Sequence, residues 1–157
     1  MANDSSRRKP NFVRSSPPFR ARTASNGEEV VPIECDQDIV VARQRGRELA
    51  AELGFSGTDI TLIATAISEL ARNIVMYAKS GEMVFKGIRQ GEKKGIRVLA
   101  HDYGPGIPDV HRALQDGYST SRSLGLGLPG VRRLMDEFEI MSELNRGTTV
   151  TVKKWVP

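Results

Sequence analysis

Three short stretches of this 157-residue chain carry side chains that could do chemistry together. Their sequences are ELARN at 69–73, DYGPG at 102–106 and GLGL at 125–128. The first lies in a helical pattern, so the Glu69 carboxylate and the Asn73 amide, one turn apart, project from the same side of the helix. The second places Asp102 at the end of an apolar run, directly before a Gly-x-Gly turn. In this order and spacing, the three stretches indicate a nucleotide-binding site.

The chemistry of Glu69 and Asn73 suits a divalent cation. A carboxylate and an amide oxygen one turn apart fit Mg²⁺, which prefers oxygen ligands and keeps several waters while it bridges phosphates. Both residues fall opposite the apolar stripe of their helix, which includes Ile63 and Ile67, so burial in the core does not explain them. The alternative is that both are ordinary surface residues, with Glu69 paired to Arg72 for about 0.2–0.5 kcal/mol.

Asp102 and the glycines also admit two interpretations. Asp102 at a strand end can accept a hydrogen bond from an adenine amino group, or it can simply begin a turn, where Asp is common. Gly125 and Gly127 precede a predicted helix start, where they would leave backbone N–H groups and the positive helix end open to phosphate. A lone Gly-x-Gly can equally end a loop, so only the complete set of motifs favours the nucleotide site.

The hydrophobic pattern predicts the elements that position these residues. The predicted strands cover 30–34, 82–90, 95–101, 139–144 and 148–155. Asp36 is the predicted N-cap of a helix over 37–53, and a second helix runs from about Thr58 to Ala78. Pro129 is predicted to start a third helix, which reaches about Glu137, because its fixed backbone angle suits a first turn.

The remaining segment, 103–128, is predicted to be mostly loop with a short helix near 110–115. A polar connection of this length inside a compact domain is usually functional. The resulting order, β-α-α-β-β-loop-α-β-β, implies a layer of helices on one face of a mostly antiparallel sheet.

Charge divides the chain into a basic extension and a near-neutral body. The formal net charge is +4, but residues 1–26 hold six Arg and Lys against one acid, whereas the rest has 17 bases and 18 acids. The extension is rich in Ser, Arg and Pro and too poor in apolar residues to fold alone. We predict a disordered extension over 1–29 and one domain over 30–157.

The same composition argues against several classes of protein. The body is near neutral, so the basic charge does not predict nucleic-acid binding. The extension lacks the apolar centre of a signal peptide, and no later segment is expected to reach the apolar length of a membrane span. The single cysteine, Cys35, is expected to be a strand-end residue without chemistry, consistent with a reducing compartment. We predict a cytoplasmic protein that binds neither nucleic acid nor membrane.

Taken as a set, the motifs resemble the GHKL ATPase superfamily, whose N, G1 and G2 boxes occur in this order. Within it, the chain is most similar to small bacterial switch kinases of the RsbT type, over about residues 30–157. The similarity is carried by AISELARNI at 66–74, DYGPGIPD at 102–109 and GLGLPGVRRLMDEF at 125–138. It implies the Bergerat fold: an α+β two-layer α/β sandwich whose mostly antiparallel mixed sheet is covered on one face by about three helices. The basic extension and Arg122 depart from the family pattern.

The resemblance also implies a role for each candidate residue. Asn73 would bind Mg²⁺, Asp102 would recognise the adenine of ATP and Glu69 would be the general base. A carboxylate suits that role because phosphoryl transfer to a serine needs positioning and charge neutralisation more than covalent help. The pocket around the phosphates would be formed by the G1 and G2 motifs, namely Gly104, Gly106, Gly125, Leu126, Gly127 and Leu128.

Two further residues have open roles. Thr148, in the last hairpin, would touch the nucleotide or be an ordinary β-branched strand residue. Arg122 would reach the γ-phosphate of ATP or be an exposed loop residue.

The implied function is an ATP-dependent protein-serine kinase with Mg²⁺ as cofactor. It would phosphorylate a STAS-domain antagonist and then bind and activate a PP2C-type phosphatase in bacterial stress or sigma-factor signalling, within a larger stressosome-like assembly. A sensor histidine kinase is disfavoured, because His101 lies at a predicted strand end and His111 near a loop. Two alternatives stay open: an anti-sigma factor kinase that binds a sigma factor directly, and a nucleotide-gated binding module without significant catalysis.

Overall fold

The computed structural model describes residues 22–23, 26–115 and 126–157. The strands of this part are β1 (Arg22–Thr23), β2 (Glu29–Ile33), β3 (Gly81–Gln90), β4 (Lys93–Asp102), β5 (Glu137–Glu143) and β6 (Gly147–Trp155). The helices are α1 (Asp36–Leu53), α2 (Gly57–Asn73), α3 (Val110–Ala113) and α4 (Gly127–Leu134). Helix α2 continues into a wider π-helical turn over Ile74–Ala78.

The strands form one sheet in the order β1-β2-β3-β4-β6-β5. Every pairing in the described residues is antiparallel, so the α+β class and the antiparallel sheet are confirmed and the mixed character expected for the sheet is wrong. Asp102 pairs with Gly81, and His101 pairs with Thr149. The end of β4 therefore lies between the first residues of β3 and the first residues of β6.

The hydrophobic core lies between α1, α2 and one face of the sheet. Helix α2 contributes Ile63, Ile67 and Leu70, all almost fully buried, to the same cluster as Phe85 of β3 and Val98 of β4. These helix positions repeat at the spacing of a single helical face, and the strand positions alternate with less buried neighbours. The helical and strand periodicities in the sequence thus identify the two surfaces that pack together.

The segment Gly57–Ala78 corrects an expectation from the sequence. Its 22 residues are long enough and apolar enough to cross a membrane by length and composition. Half of its apolar window is buried in the protein, including Ile63, Ile67 and Leu70 of the core, whereas Met76 and Tyr77 are exposed. Ser56 is the N-cap residue of α2, directly before Gly57. Its hydroxyl accepts a hydrogen bond of 3.2 Å from the backbone N–H of Asp59 and so caps the helix.

The start of α1 differs from the prediction by one residue. Cys35, rather than Asp36, is the N-cap residue, and it is exposed. The carboxylate of Asp38 reaches back to accept the backbone N–H groups of Glu34 and Cys35, at 2.8 and 3.2 Å. Because a carboxylate at this position satisfies N–H groups that the helix itself leaves unpaired, Asp38 determines where the helix begins.

The start of α4 also differs, because the helix begins at Gly127 and Pro129 lies within its first turn. Proline has no N–H, and the first N–H groups of a helix have no partner inside it, so proline fits at several first-turn positions. The predicted short helix near 110–115 is confirmed as α3.

The predicted boundary between the extension (1–29) and the domain (30–157) also differs from the structure. Glu29 already pairs with Phe85, and Arg22 pairs with Val30, so the sheet includes residues that were assigned to the extension.

Gly147 generates a prediction about the fold. Its φ is +120°, and an added Cβ would lie 2.0 Å from the carbonyl oxygen of Asp102. We expect Gly147→Ala to lower the free energy of unfolding by about 3 kcal/mol, because the obstructing atoms are backbone and cannot rotate away. The matched control is Gly91→Ala: Gly91 also has positive φ, +61°, but an added Cβ meets nothing within 4 Å. Urea unfolding of both variants measures the difference, and equal losses would contradict the packing argument.

Candidate functional site

A cavity of about 420 Å³ opens between α2 with its π-helical turn, the β4–β6 pair and the start of α4. Such a volume, with mostly apolar walls and a few polar groups, is typical of small-molecule sites of about 300–1,000 Å³. The polar side chains on its walls are Asn73, Asp102 and Thr148. The apolar walls include Leu70, Ile74, Tyr77, Ala78, Ala100, Ile107, Pro108, Leu128 and Val150. The structure therefore brings residues of all three sequence motifs to one cavity.

Asp102 is the most firmly held of the polar groups. Its Oδ1 accepts the backbone N–H of Gly104 at 2.9 Å and that of Thr148 at 3.2 Å. Its second oxygen, Oδ2, has no hydrogen-bond donor among the described residues. The carboxylate is thus fixed in orientation by one oxygen, which leaves the other available to a ligand in the cavity.

Thr148 is buried and lines the cavity. Its hydroxyl is hydrogen-bonded to a residue that the sequence motifs did not reveal. It shares a 2.8 Å hydrogen bond with the hydroxyl of Ser142 on β5. The same Ser142 oxygen accepts the backbone N–H of Ile107 at 2.8 Å. Ser142 therefore joins the loop after β4 to β6, across the mouth of the β5–β6 hairpin. The one signal in the sequence is that Ser142 falls on the less exposed face of β5, where side chains alternate between the two faces of the strand.

Gly104 and Gly106 have contacts that explain why they are glycines. A Cβ on Gly104 would lie 2.6 Å from the Cβ of Ala78, at the end of the π-helical turn. Gly106 has φ +79°, and a Cβ there would lie 2.5 Å from the carbonyl oxygen of Glu143. Both glycines are thus required by close packing of protein against protein. Gly106 lines the cavity, whereas Gly104 contributes through its hydrogen bond to Asp102.

Asn73 ends α2 at the cavity wall. Its side-chain amide has no hydrogen-bond partner among the described residues and is partly exposed. No group of three His, Cys, Asp or Glu side chains that could hold a metal is found in the part of the chain that the structure describes. A cation here would therefore take Asn73 as a ligand together with groups of a bound nucleotide and water. The donor chemistry, an uncommitted amide oxygen beside an open cavity, fits Mg²⁺.

Glu69 lies in a different environment from the one its helical position predicted. It is buried, and α4 packs against α2, the helix that carries it. Its Oε1 accepts a hydrogen bond of 2.9 Å from Nη1 of Arg72, and its Oε2 lies 3.4 Å from the backbone N of Gly127. The interpretation of Glu69 as a surface residue is wrong, although the ion pair with Arg72 is present. Through Gly127, the carboxylate contacts a residue of the cavity wall.

The G2 motif is described in part. Gly127, with φ +64°, and Leu128 line the cavity at the start of α4, whereas Leu126 is largely exposed. Among the described residues, no side chain caps this helix start. Pro129 has no N–H and the Gly130 N–H is bonded to the Leu126 carbonyl, so the first-turn N–H groups on the cavity wall are those of Gly127 and Leu128. Gly125 and Arg122 lie outside the described residues.

Comparisons with known proteins show the family of this chain. The model of the histidine kinase-like ATPase domain family matches residues 31–154, and the chain belongs to that family. The chain is 50% identical to the serine/threonine-protein kinase RsbT of Bacillus subtilis over 131 residues, which are 83% of this chain and 98% of RsbT. It is 32% identical to the anti-sigma F factor of a Thermoanaerobacter species over 113 residues, 68% of this chain and 78% of that protein.

Two solved structures share the fold. The RsbU and RsbW domains of a Mycobacterium tuberculosis protein superpose with a TM-score of 0.56 at 23% identity, covering 82% of this chain and 33% of that one. This chain thus spans about a third of that protein's length. The mycobacterial sensor histidine kinase MprB superposes with a TM-score of 0.51 at 17% identity, covering 80% of this chain and 97% of MprB.

Together, the family and the similarity to RsbT identify the chain. It is an ATP-binding serine/threonine-protein kinase of the partner-switching type.

Asp102 generates the prediction that tests the adenine end of the cavity. Asp102→Asn keeps an oxygen for the N–H groups of Gly104 and Thr148 but places an amide donor where the carboxylate presented an acceptor. We expect ATP affinity to fall by roughly 10–100-fold, the loss of a hydrogen bond to a charged group. The matched control is Asp109→Asn, because Asp109 caps α3 in the same loop and is not on the cavity wall. Isothermal titration with ATP and GTP measures the effect, and equal losses for the two nucleotides would contradict adenine recognition.

Proposed function

We propose that this chain binds Mg²⁺ and ATP in the cavity and transfers the γ-phosphate to a serine of a STAS-domain antagonist. The observation that carries the proposal is the Asp102 carboxylate on the wall of an apolar cavity, held by Oδ1 while Oδ2 has no donor among the described residues. An acceptor at this place matches the exocyclic amino group of adenine. Guanine carries a carbonyl oxygen at the corresponding ring position, so the two acceptors would repel each other.

The phosphates are assigned to the start of α4. Gly127 and Leu128 at this helix start carry backbone N–H groups, and the helix start has a partial positive charge; both features favour phosphate oxygens. Gly127 leads this helix and lines the cavity, so its backbone can approach a ligand without a side chain in between. The nucleotide would then lie between Asp102 at one end and α4 at the other.

Asn73 and Glu69 are assigned to the reacting end of the nucleotide. Asn73 would hold Mg²⁺, which when bound neutralises charge on the phosphates. Glu69 would accept the proton of the serine hydroxyl, because it is the carboxylate next to Gly127 at the start of α4. These roles use the two side chains one helical turn apart on α2, so one element positions both the cation ligand and the base.

Partner switching follows from the chemistry of the product. A phosphoserine adds about 1.5–2 negative charges and would weaken the complex between kinase and antagonist. The released kinase would then bind and activate a PP2C-type phosphatase. The similarity over nearly the whole length of RsbT supports this scheme. We include in the proposal a cytoplasmic location and association with a stressosome-like assembly.

Capture of partners tests the proposal. The tagged full chain is incubated with lysate of its own host, with and without Mg²⁺ and ATP, and the bound proteins and their phosphoserines are identified by mass spectrometry. We expect a STAS-domain protein that is phosphorylated on serine and released with ATP, and a PP2C-type phosphatase that stays bound. Direct recovery of a sigma factor would favour the anti-sigma kinase, and capture without phosphoserine would favour the binding module.

Asn73 provides the test of the cation. We expect Asn73→Ala to weaken Mg²⁺-dependent ATP binding by at least the roughly 10-fold that an outer-shell change costs a metal site. The control Ser68→Ala removes a polar group from the same helix, but the Ser68 hydroxyl bonds to the Ala64 carbonyl and lies off the cavity. Titrations with ATP in Mg²⁺ and in EDTA measure both variants. Wild-type affinity of Asn73→Ala in Mg²⁺ would reject the metal role.

Glu69 provides the test of catalysis. Glu69→Gln keeps the size and an acceptor for Arg72 but removes proton acceptance, so phosphorylation of the antagonist should fall by roughly 10²–10⁴-fold. Binding of ATP and antagonist should persist, so that the variant holds its antagonist without releasing it. Glu48→Gln, at an exposed ion pair on α1, is the matched control. Rates of phosphoserine formation that match the wild type in Glu69→Gln would reject the base role while leaving the kinase assignment intact.

A further inference from the structure

The carboxylate of Glu69 is held by two donors of unequal strength. Arg72 Nη1 lies 2.9 Å from Oε1, which is an ordinary distance for a charge-assisted hydrogen bond. The backbone N of Gly127 lies 3.4 Å from Oε2, beyond the usual range for an N–H donor to oxygen. The two oxygens of one carboxylate therefore differ: Oε1 is firmly bound, and Oε2 is weakly bound next to Gly127, which is a residue of the cavity wall.

Burial makes the pair with Arg72 more important than an exposed pair of the same spacing. The Glu69 side chain is 7% exposed, whereas that of Arg72 is 40% exposed. A carboxylate buried to this extent is costly unless a donor compensates its charge. Arg72 is the one cationic side chain that contacts Glu69 among the described residues. Arg72, like Glu69, is not on the cavity wall, and its contact in the described part of the chain is with the Glu69 carboxylate.

We propose that Arg72 is a positioning residue that fixes the Glu69 carboxylate for proton transfer; this inference rests on the proposed base role of Glu69. By binding Oε1, Arg72 sets the rotation of the carboxylate and directs Oε2 to the start of α4. In the reaction, the serine oxygen forms a bond to the γ-phosphorus, and the serine proton moves to Oε2. The bond from the γ-phosphorus to the β–γ bridging oxygen breaks, and its electron pair leaves with ADP.

The geometry explains why arginine and glutamate stand three residues apart on one helix. At this spacing the two side chains meet without crossing the cavity, so the same turn carries the base and its anchor. Only one guanidinium nitrogen contacts one carboxylate oxygen, so the interaction requires a cationic N–H donor at this place and not the bidentate geometry of arginine.

The experiment compares Arg72→Met, Arg72→Lys, Glu69→Gln and the double variant Glu69→Gln/Arg72→Met. The readouts are the rate of phosphoserine formation on the antagonist identified by capture, the Kd for Mg²⁺ and ATP, and the thermal unfolding temperature. Arg45→Met is the matched control, because the Arg45 side chain is 44% exposed and pairs with Glu29 and Glu48 away from the cavity.

We expect Arg72→Met to lower kcat by roughly 10–100-fold, the cost of misplacing a reacting group, with the Kd for ATP unchanged. Arg72→Lys should recover most of that rate. The double variant should be no slower than Glu69→Gln alone, because Arg72 has no function once the base is gone. Arg45→Met should retain the wild-type rate.

Several outcomes would overturn the inference. A rate for Arg72→Met equal to that of Arg45→Met would show that the anchor is not needed. A double variant slower than Glu69→Gln would show that Arg72 acts on the substrate or antagonist directly. If Arg72→Met is too unstable to assay, a folded Arg72→Lys variant whose rate stays far below the wild type would show that a cationic N–H donor at this place does not position the base. Wild-type rates in Glu69→Gln would instead reject the base role itself, whatever Arg72 does.

Discussion

The position of one carboxylate, that of Asp102, determines the geometry of the whole site. Asp102 is the last residue of β4, and its Oδ1 ties the following turn at Gly104 to the start of β6 at Thr148. Neighbouring backbone can come this close because Gly81 and Gly147 have no side chains to obstruct the end of the strand. One acceptor oxygen thus fixes the position of the loop after β4 relative to the start of β6, and both of these contribute to the cavity wall. The second oxygen of the carboxylate remains for the ligand.

Helix α2 supplies the second constraint, because both of its sides are used. The side that faces the sheet fills the core with Ile63, Ile67 and Leu70. Helix α4 also packs against α2, and its first residue, Gly127, lies next to the buried Glu69 carboxylate. A phosphate bound at the start of α4, as proposed, would lie next to the residue that contacts Glu69.

The sequence predicted the elements and their order because they depend on local signals. The helical repeat of α2, the hairpin before Asp102 and the glycine motifs are all visible over a few residues. The burial of Glu69 was not predicted, because a helical wheel represents one helix and contains no information about α4. Ser142 was missed for a similar reason, since its partners Ile107 and Thr148 are brought together only by the fold. The cap of α1 was misplaced by one residue, because Asp is a favoured N-cap type and Cys is not, whereas the structure places Cys35 at the cap and the Asp38 carboxylate accepts its N–H.

The most direct test of the account is a titration of the ¹⁵N-labelled protein with ATP and Mg²⁺, followed through its backbone amide resonances. The account predicts saturable shifts concentrated at Gly104, Ile107, Gly127 and Thr148, whose amides line or support the cavity, and much smaller shifts with GTP. Two results would contradict it: no saturable change at these amides, or changes centred on the shallow hollow beside Trp155 and Lys93 at the other end of β4.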